Sequence, residues 1–172
     1  MNQKNKHCAA CARLFALWLV CRAPSAWALA SDSDQPIHID ANTASYEEKT
    51  GISTYTGNVV FVQGSIRVTS DKLVVYSRNG EVEKLVWTGG PVKLKQTPNE
   101  GKKDITGESL QAEYYPEQAL LILKQKATVW QGDVTYTSDM IEYDSRNAIV
   151  KAGEKSSDAK RVHVILTPKG KK

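Results

Sequence analysis

The sequence predicts an all-β domain built from internal repeats: a sandwich, jelly roll or barrel of stacked short strands. Three observations carry that expectation. Apolar residues alternate with polar ones at period two, glycines punctuate the alternation, and residues 37–82 recur at residues 105–150. Helical periodicity is almost absent after residue 28.

The chain has 172 residues, enough for one well-cored domain. Residues 1–28 read as a cleaved secretory signal peptide. Lys4, Lys6 and Arg13 form a positive start, Leu14 to Cys21 is a short apolar run, and Ala26-Trp27-Ala28 is a cleavage site, with Ala30 as the other candidate end. The apolar run is too short to span a bilayer, which needs about 20 residues. All three cysteines, Cys8, Cys11 and Cys21, fall in this segment, so the rest of the chain has no disulfide framework or thiolate site. Four of the 23 basic residues lie there too, and none of the 19 acidic ones, so residues 29–172 carry 23 − 4 = 19 basic against 19 acidic side chains. Zero net charge argues against a nucleic-acid binder, which needs a basic face. Residues 29–168 are expected to be the single domain and residues 169–172 a flexible basic tail.

Strands follow in order at Ile37-His38-Ile39-Asp40, Ile66-Arg67-Val68-Thr69, Val92-Lys93-Leu94-Lys95, Leu110 to Tyr114 and Val162-His163-Val164. Val, Ile, Thr and Tyr dominate them, residues that suit a pleated, half-buried surface. Gly51 and Gly80 close the clearest turns. Residues 97–104 form the longest loop, and residues 151–160 lead to a last strand near Arg161–Thr167.

At an offset of 68, residues 37–82 match residues 105–150 without a gap at 12 of 46 positions. Thr69-Ser70-Asp71 falls on Thr137-Ser138-Asp139, and Ser77-Arg78-Asn79 on Ser145-Arg146-Asn147. A finer repeat places Asn42, Asp71, Glu108 and Asp139 in equivalent corners, and an alternating apolar pair ends on Gln63, Gln96 and Gln131. One such unit cannot bury its apolar face alone, so neighbours must stack. Val68 and Leu73 are five residues apart, an odd step that flips the face of a plain strand. A β-bulge at Ser-Asp restores the face and bends the strand, with the acid bonding nearby backbone N–H groups. The single acids, widely spaced, lack the density of a calcium loop.

This parity predicts one continuous interior formed by Ile37, Ile39, Val59, Phe61, Val68 and Leu73, continued by Tyr55, Val75, Leu94, Leu110, Tyr114 and Val129. Ala44 and Tyr46 belong to the same face. His38, Arg67, Lys93, Gln111 and Thr135 should face water. The inner face carries Phe61 alone among phenylalanines, which leaves room inside, while Trp87 and Trp130 read as rim or core residues. No nucleophile elbow, phosphate loop or paired carboxylate marks an enzyme. No cofactor or metal is expected. A scaffold of this kind can bridge partners, carry lipid, or do both. The other reading is a structural or adhesive β-repeat protein with a filled core and no lipid ligand.

Residues 32–39 (Asp-Ser-Asp-Gln-Pro-Ile-His-Ile), 55–64 (Tyr-Thr-Gly-Asn-Val-Val-Phe-Val-Gln-Gly) and 70–75 (Ser-Asp-Lys-Leu-Val-Val) resemble the OstA-like family of Gram-negative lipopolysaccharide-transport proteins. The resemblance implies a periplasmic protein with a slightly twisted, open β-jelly roll. It implies that the apolar groove binds the acyl chains of lipid A, with Ile37, Leu94 and Tyr114 at lipid-contacting positions. It also implies a bridge of jelly rolls stacked head to tail between the two membranes. LptC would dock at the N-terminal edge, around Pro36, Ile37, His38 and Ile39. The N-terminal domain of LptD would dock at the C-terminal edge, around Val162, Val164 and Leu166.

Overall fold

The computed structural model describes residues 32–97, 103–147, 149–153 and 161–168, without the Ser33 side chain. The expected signal peptide, the basic tail and parts of the two long loops lie outside the described residues.

Period-two alternation lets each strand bury one face, and the strands pair into one antiparallel sheet. In chain order they are β1 (Ile37–Asp40), β2 (Thr43–Glu47), β3 (Ile52–Gln63), β4 (Ile66–Arg78), β5 (Glu81–Gln96), β6 (Ile105–Tyr115), β7 (Leu120–Gln131), β8 (Val134–Asp144), β9 (Ile149–Ala152) and β10 (His163–Leu166). Strands β3 to β8 form a meander. At one end β1 and β2 pair with the two halves of β3; at the other β10 and β9 pair with the two halves of β8. The end strands do not meet, so the sheet is open.

Each long strand bends near its middle. The β3–β4 register shifts between Thr56 and Val59, and the β7–β8 register between Lys124 and Ala127. Both are two-against-one bulges, and the extra residues take positive φ: Gly57 and Asn58 in β3, Gln125 and Lys126 in β7. These positions differ by the repeat offset of 68. So do two turn bonds, in which Ser77 N–H donates to Gly51 O and Ser145 N–H to Ala119 O, each at 2.9 Å. Gly51 and Ala119 are both left-handed there, and a Cβ on Gly51 would strike the Ser77 carbonyl oxygen. On the opposing strands the corner residue is a buried serine. Ser70 Oγ donates to Lys72 O at 3.2 Å and Ser109 Oγ to Gln111 O at 2.8 Å. Asp71 accepts from Gly90 N–H at 2.9 Å, the backbone contact expected of the corner acid.

The bend folds the sheet onto itself, so its halves face each other across one core. Phe61, from one half, meets Trp87, from the other, edge to face at 5.1 Å. Gly107 marks where the halves approach: a Cβ there would lie 2.9 Å from Leu123 Cδ1. The five-residue step holds: Val68 and Leu73 are both buried, as are Gly107 and Ala112.

That alignment corrects one residue. Leu110 was expected inside but is 37% exposed, while Ser109 is 2% exposed. In β6 the corner falls two residues later than the finer repeat places it, so Ser109 matches Ser70 and Leu110 sits on the outward bulge, where the register shifts between Glu108 and Gln111. Ala44 and Tyr46 lie opposite Tyr55 and Ser53, on the interior face as expected, yet both are exposed because β2 has no further rung beside it among the described residues. Leu73→Ala should therefore cost about 2–5 kcal/mol in denaturant unfolding and Leu110→Ala less than about 1 kcal/mol. Similar losses would put Leu110 back in the core.

On the outer face, Glu113 is buried beneath long side chains. Lys124 Nζ lies 2.9 Å and Lys84 Nζ 3.2 Å from its carboxylate, and Tyr115 OH donates at 2.9 Å. Burial pushes the Glu113 carboxyl up, but the hydrogen bonds from Lys124, Tyr115 and Lys84 outweigh it and hold it at about 2. A depressed carboxyl stabilises the fold above its unfolded value of 4.5 and loses that contribution as pH falls toward about 2. The urea midpoint of the wild type should fall across that window, and Glu113→Gln should lower it at neutral pH and flatten its acid dependence. An unchanged slope would show that other carboxylates control acid unfolding.

Candidate functional site

The candidate site is the seam between the two halves of the sheet. Val59, Phe61, Val68, Leu73, Val75, Leu94, Tyr114 and Val129 are all buried along it. Ile37, Ile39 and Tyr55 are half-buried and pack against its N-terminal end. Of the twelve residues expected to line the interior, only Leu110 stands outside. His38, Arg67 and Lys93 are exposed on the outer face; Gln111 and Thr135 are half-buried.

Sequence reasoning left Leu85, Trp87, Leu121, Leu123 and Tyr143 out of the groove set, and all are buried there. Residues 120–124, Leu-Leu-Ile-Leu-Lys, are continuously apolar up to Lys124, so no alternation singles out Leu121 and Leu123. Trp87 is wholly interior, and with Tyr114 and Tyr143 it fills much of the space that the small and β-branched residues were expected to leave. The seam is closed along most of its length. A narrow slot with an almost wholly apolar surface remains where the two halves end. Ile66, Val68, Leu94 and Gln96 line it from one half, and Trp87, Tyr114, Leu121 and Tyr143 from the other.

The segment before β1 crosses the rim of this slot. Asp32 accepts from Ser65 N–H at 2.6 Å, Ser65 Oγ at 2.8 Å and Gln96 Nε2 at 2.6 Å. Gln63 Nε2 donates to Gln35 O at 3.1 Å. Two of the three glutamines that close the apolar pairs, Gln63 and Gln96, thus tie down the Asp-Ser-Asp-Gln-Pro segment. Burial, reinforced by the Asp32 and Asp144 charges, pushes the Tyr143 phenol up to about 12. Burial and Asp32 push Tyr114 up too, against the Arg146 charge. Both phenols stay protonated at physiological pH and keep their O–H donors.

The sheet ends in strands paired on one side only among the described residues. At one end His38 and Ile39 lie opposite Val62 and Phe61, and Pro36 is exposed beside them. At the other, Val164 lies opposite Tyr136 on the interior face, yet Val162, Val164 and Leu166 are 39%, 46% and 71% exposed. Their interior parity is as expected; with no next rung, they stay uncovered. No helix among the described residues is long and apolar enough to cross a membrane.

This geometry has relatives. Residues 38–149 match the family described as LptA/(LptD N-terminal domain) LPS transport protein. The chain is 30% identical over 164 residues to lipopolysaccharide export system protein LptH of Pseudomonas aeruginosa, covering 92% of this chain and 94% of that one. It is 33% identical over 145 residues to lipopolysaccharide export system protein LptA of Escherichia coli, covering 83% and 77%. The crystal structure of LptH, described as the LptA-homologous periplasmic component of the lipopolysaccharide transport device, superposes with a TM-score of 0.73 at 30% identity, covering 81% of this chain and all of that one. The open sheet folded on itself is accordingly a β-jelly roll, and the chain belongs to the LptA/LptD N-terminal-domain family of LPS transport proteins.

Proposed function

We propose that this protein carries lipopolysaccharide across the periplasm, sheltering lipid A acyl chains in its interior and stacking head to tail with like jelly rolls. The carrying observation is the apolar seam, which reaches strands paired on one side only, among the described residues, at both ends. Each methylene moved from water into such an interior gains about 0.8 kcal/mol, so an acyl chain that parts the two halves at the slot is held by burial alone. Relatives named as lipopolysaccharide export proteins support the reading. The strand edges support the bridge, because unpaired backbone groups beside an uncovered apolar rim accept another strand by β-augmentation. LptC would add at the β1 edge and the LptD N-terminal domain at the β10 edge. The family description, which joins LptA with that LptD domain, supports a partner of like fold. Nothing in the reading calls for catalysis.

A photoreactive residue at Ile37, Leu94 or Tyr114 should crosslink lipopolysaccharide, and the same probe at His38 or Lys93 should not. Equal labelling at all five positions would mean surface adhesion, and none at the inner three would favour a purely structural β-repeat protein.

A chain ending at Lys160 lacks β10. It should lose concentration-dependent self-association and docking to the outer-membrane partner, while still binding the partner at β1. Persistent oligomers in light scattering would show that β10 is not the docking edge.

A further inference from the structure

The two open edges of the sheet are cut to the same rows. Paired positions can be followed from strand to strand across the half that holds β1 and β10. The row that begins at Asp40 runs through Val60, Lys93 and Thr128 and ends on His163. The row of His38 ends on Ile165 and the row of Ile39 on Val164. In the other half the row of Tyr46 ends on Val150 and that of Ala44 on Ala152. The path from β1 to β10 crosses eight antiparallel strands. An even number leaves β10 antiparallel to the β1 of a second copy placed beside it, with every row continued.

The hydrogen-bonding phase agrees. Thr167 N–H donates to Asp133 O at 2.9 Å. The odd residues of β10 therefore bond to β8, and Val164 and Leu166 aim their backbone groups at the open edge. The two-residue turns after Gln63 and Gln131 are equivalent at the offset of 68, so the same phase holds at β3. Gln63 bonds to β4, Val62 and Val60 bond to His38 and Asp40, and Ile37 and Ile39 aim at their edge. Continuing the rows sets open backbone groups against open ones, with Ile39 opposite Val164.

That join puts Asp40 of one copy opposite His163 of the next. Both are exposed on the outer face, and they meet as a non-hydrogen-bonded pair, the kind whose side chains stand closest. We infer that this carboxylate–imidazole contact sets the register between copies of this chain and tightens their association as pH falls. The inference rests on the stacking reading above and adds to it a register and a pH response. A slip of two residues keeps interior parity but sets Asp40 against Ile165 or, the other way, against Arg161. Arg161 does not titrate, and its register leaves Leu166 uncovered. Within one copy, Asp40 has Val60 of β3 opposite and His38 on its own strand. His163 has Thr137 of β8 opposite, with Asp139 two residues further along β8 and Arg161 two residues before it. Histidine takes up its proton between pH 5 and 8. An imidazole that gains a carboxylate on assembly holds its proton to higher pH, so the contact is complete at low pH and lost as pH rises. His38 titrates in the same range, but it flanks Asp40 in free and stacked copies alike. After stacking it lies opposite Ile165, farther from His163 than Asp40 is.

The test is self-association by analytical ultracentrifugation at about pH 8 and about pH 6, the range in which histidine titrates. The proteins are the wild type, His163→Gln, Asp40→Lys, His163→Glu and the Asp40→Lys/His163→Glu double variant. The wild type should associate about two- to fivefold more tightly at the lower pH, the worth of one cross-strand charge pair. His163→Gln, which keeps His38, should lose that difference. Each single charge reversal sets like charges face to face and should weaken association. The double variant should regain it and no longer respond to pH, because its ammonium and carboxylate both stay charged across the range. Association that ignores pH in the wild type overturns the contact and favours the register on Arg161. A double variant no better than either single reversal overturns the register. In both cases stacking itself stands, since the wild type still associates. If the wild type stays monomeric at both pH values, the stacking reading fails and the inference falls with it.

Discussion

Everything in this fold depends on a bend placed at the same level in every rung of the sheet. A flat sheet of these strands would expose one apolar face to water. Bulges at Gly57-Asn58 and Gln125-Lys126, with serine corners at Ser70 and Ser109 opposite bulges, turn the strands so that the face closes on itself. The bend also sets parity. An extra residue restores inward orientation beyond the corner, which keeps Val68 and Leu73 in one core. A bulge misplaced in one rung would turn half of its side chains outward and break contact with the rungs on both sides.

The same construction explains why the molecule is incomplete at its ends. Each inner rung covers its neighbours, so exposure falls to nearly zero at Phe61, Leu85 and Leu123. The terminal rungs have a neighbour on one side only. Ile37 and Ile39 stay half-buried, and Leu166 is largely exposed although its strand continues the sheet. Polar groups follow a complementary rule. On the outer face Glu113 is matched by Lys84, Lys124 and Tyr115, whereas the surface of the inner slot is almost wholly apolar.

Much of the seam was legible because alternation assigns a side to every residue without knowledge of its partners. Eleven of the twelve expected lining residues follow that rule. Leu110 escaped it because the position of a bulge depends on how β6 pairs with β5 and β7. The finer repeat set Glu108 at the corner, two residues early, whereas the offset of 68 sets the corner residue Asn42 on Leu110, as the pairing of β6 with β7 has it. Trp87 escaped because an aromatic residue beside a glycine-rich corner reads equally as rim or core. The clasp between Asp32 and Gln96 spans 64 residues and has no short-range signature.

By itself, the sequence determined the all-β class, the faces of most strands and the equivalence of the β3–β4 and β7–β8 hairpins. These are periodic properties, written in side-chain alternation and in a repeat offset that recurs in the turn bonds of Ser77 and Ser145. Only the tertiary structure decided where each corner falls, how tightly the halves close and which polar atoms meet across the seam. Those outcomes depend on pairing and approach between residues far apart in the chain, so they exist only once the bent sheet has folded onto itself.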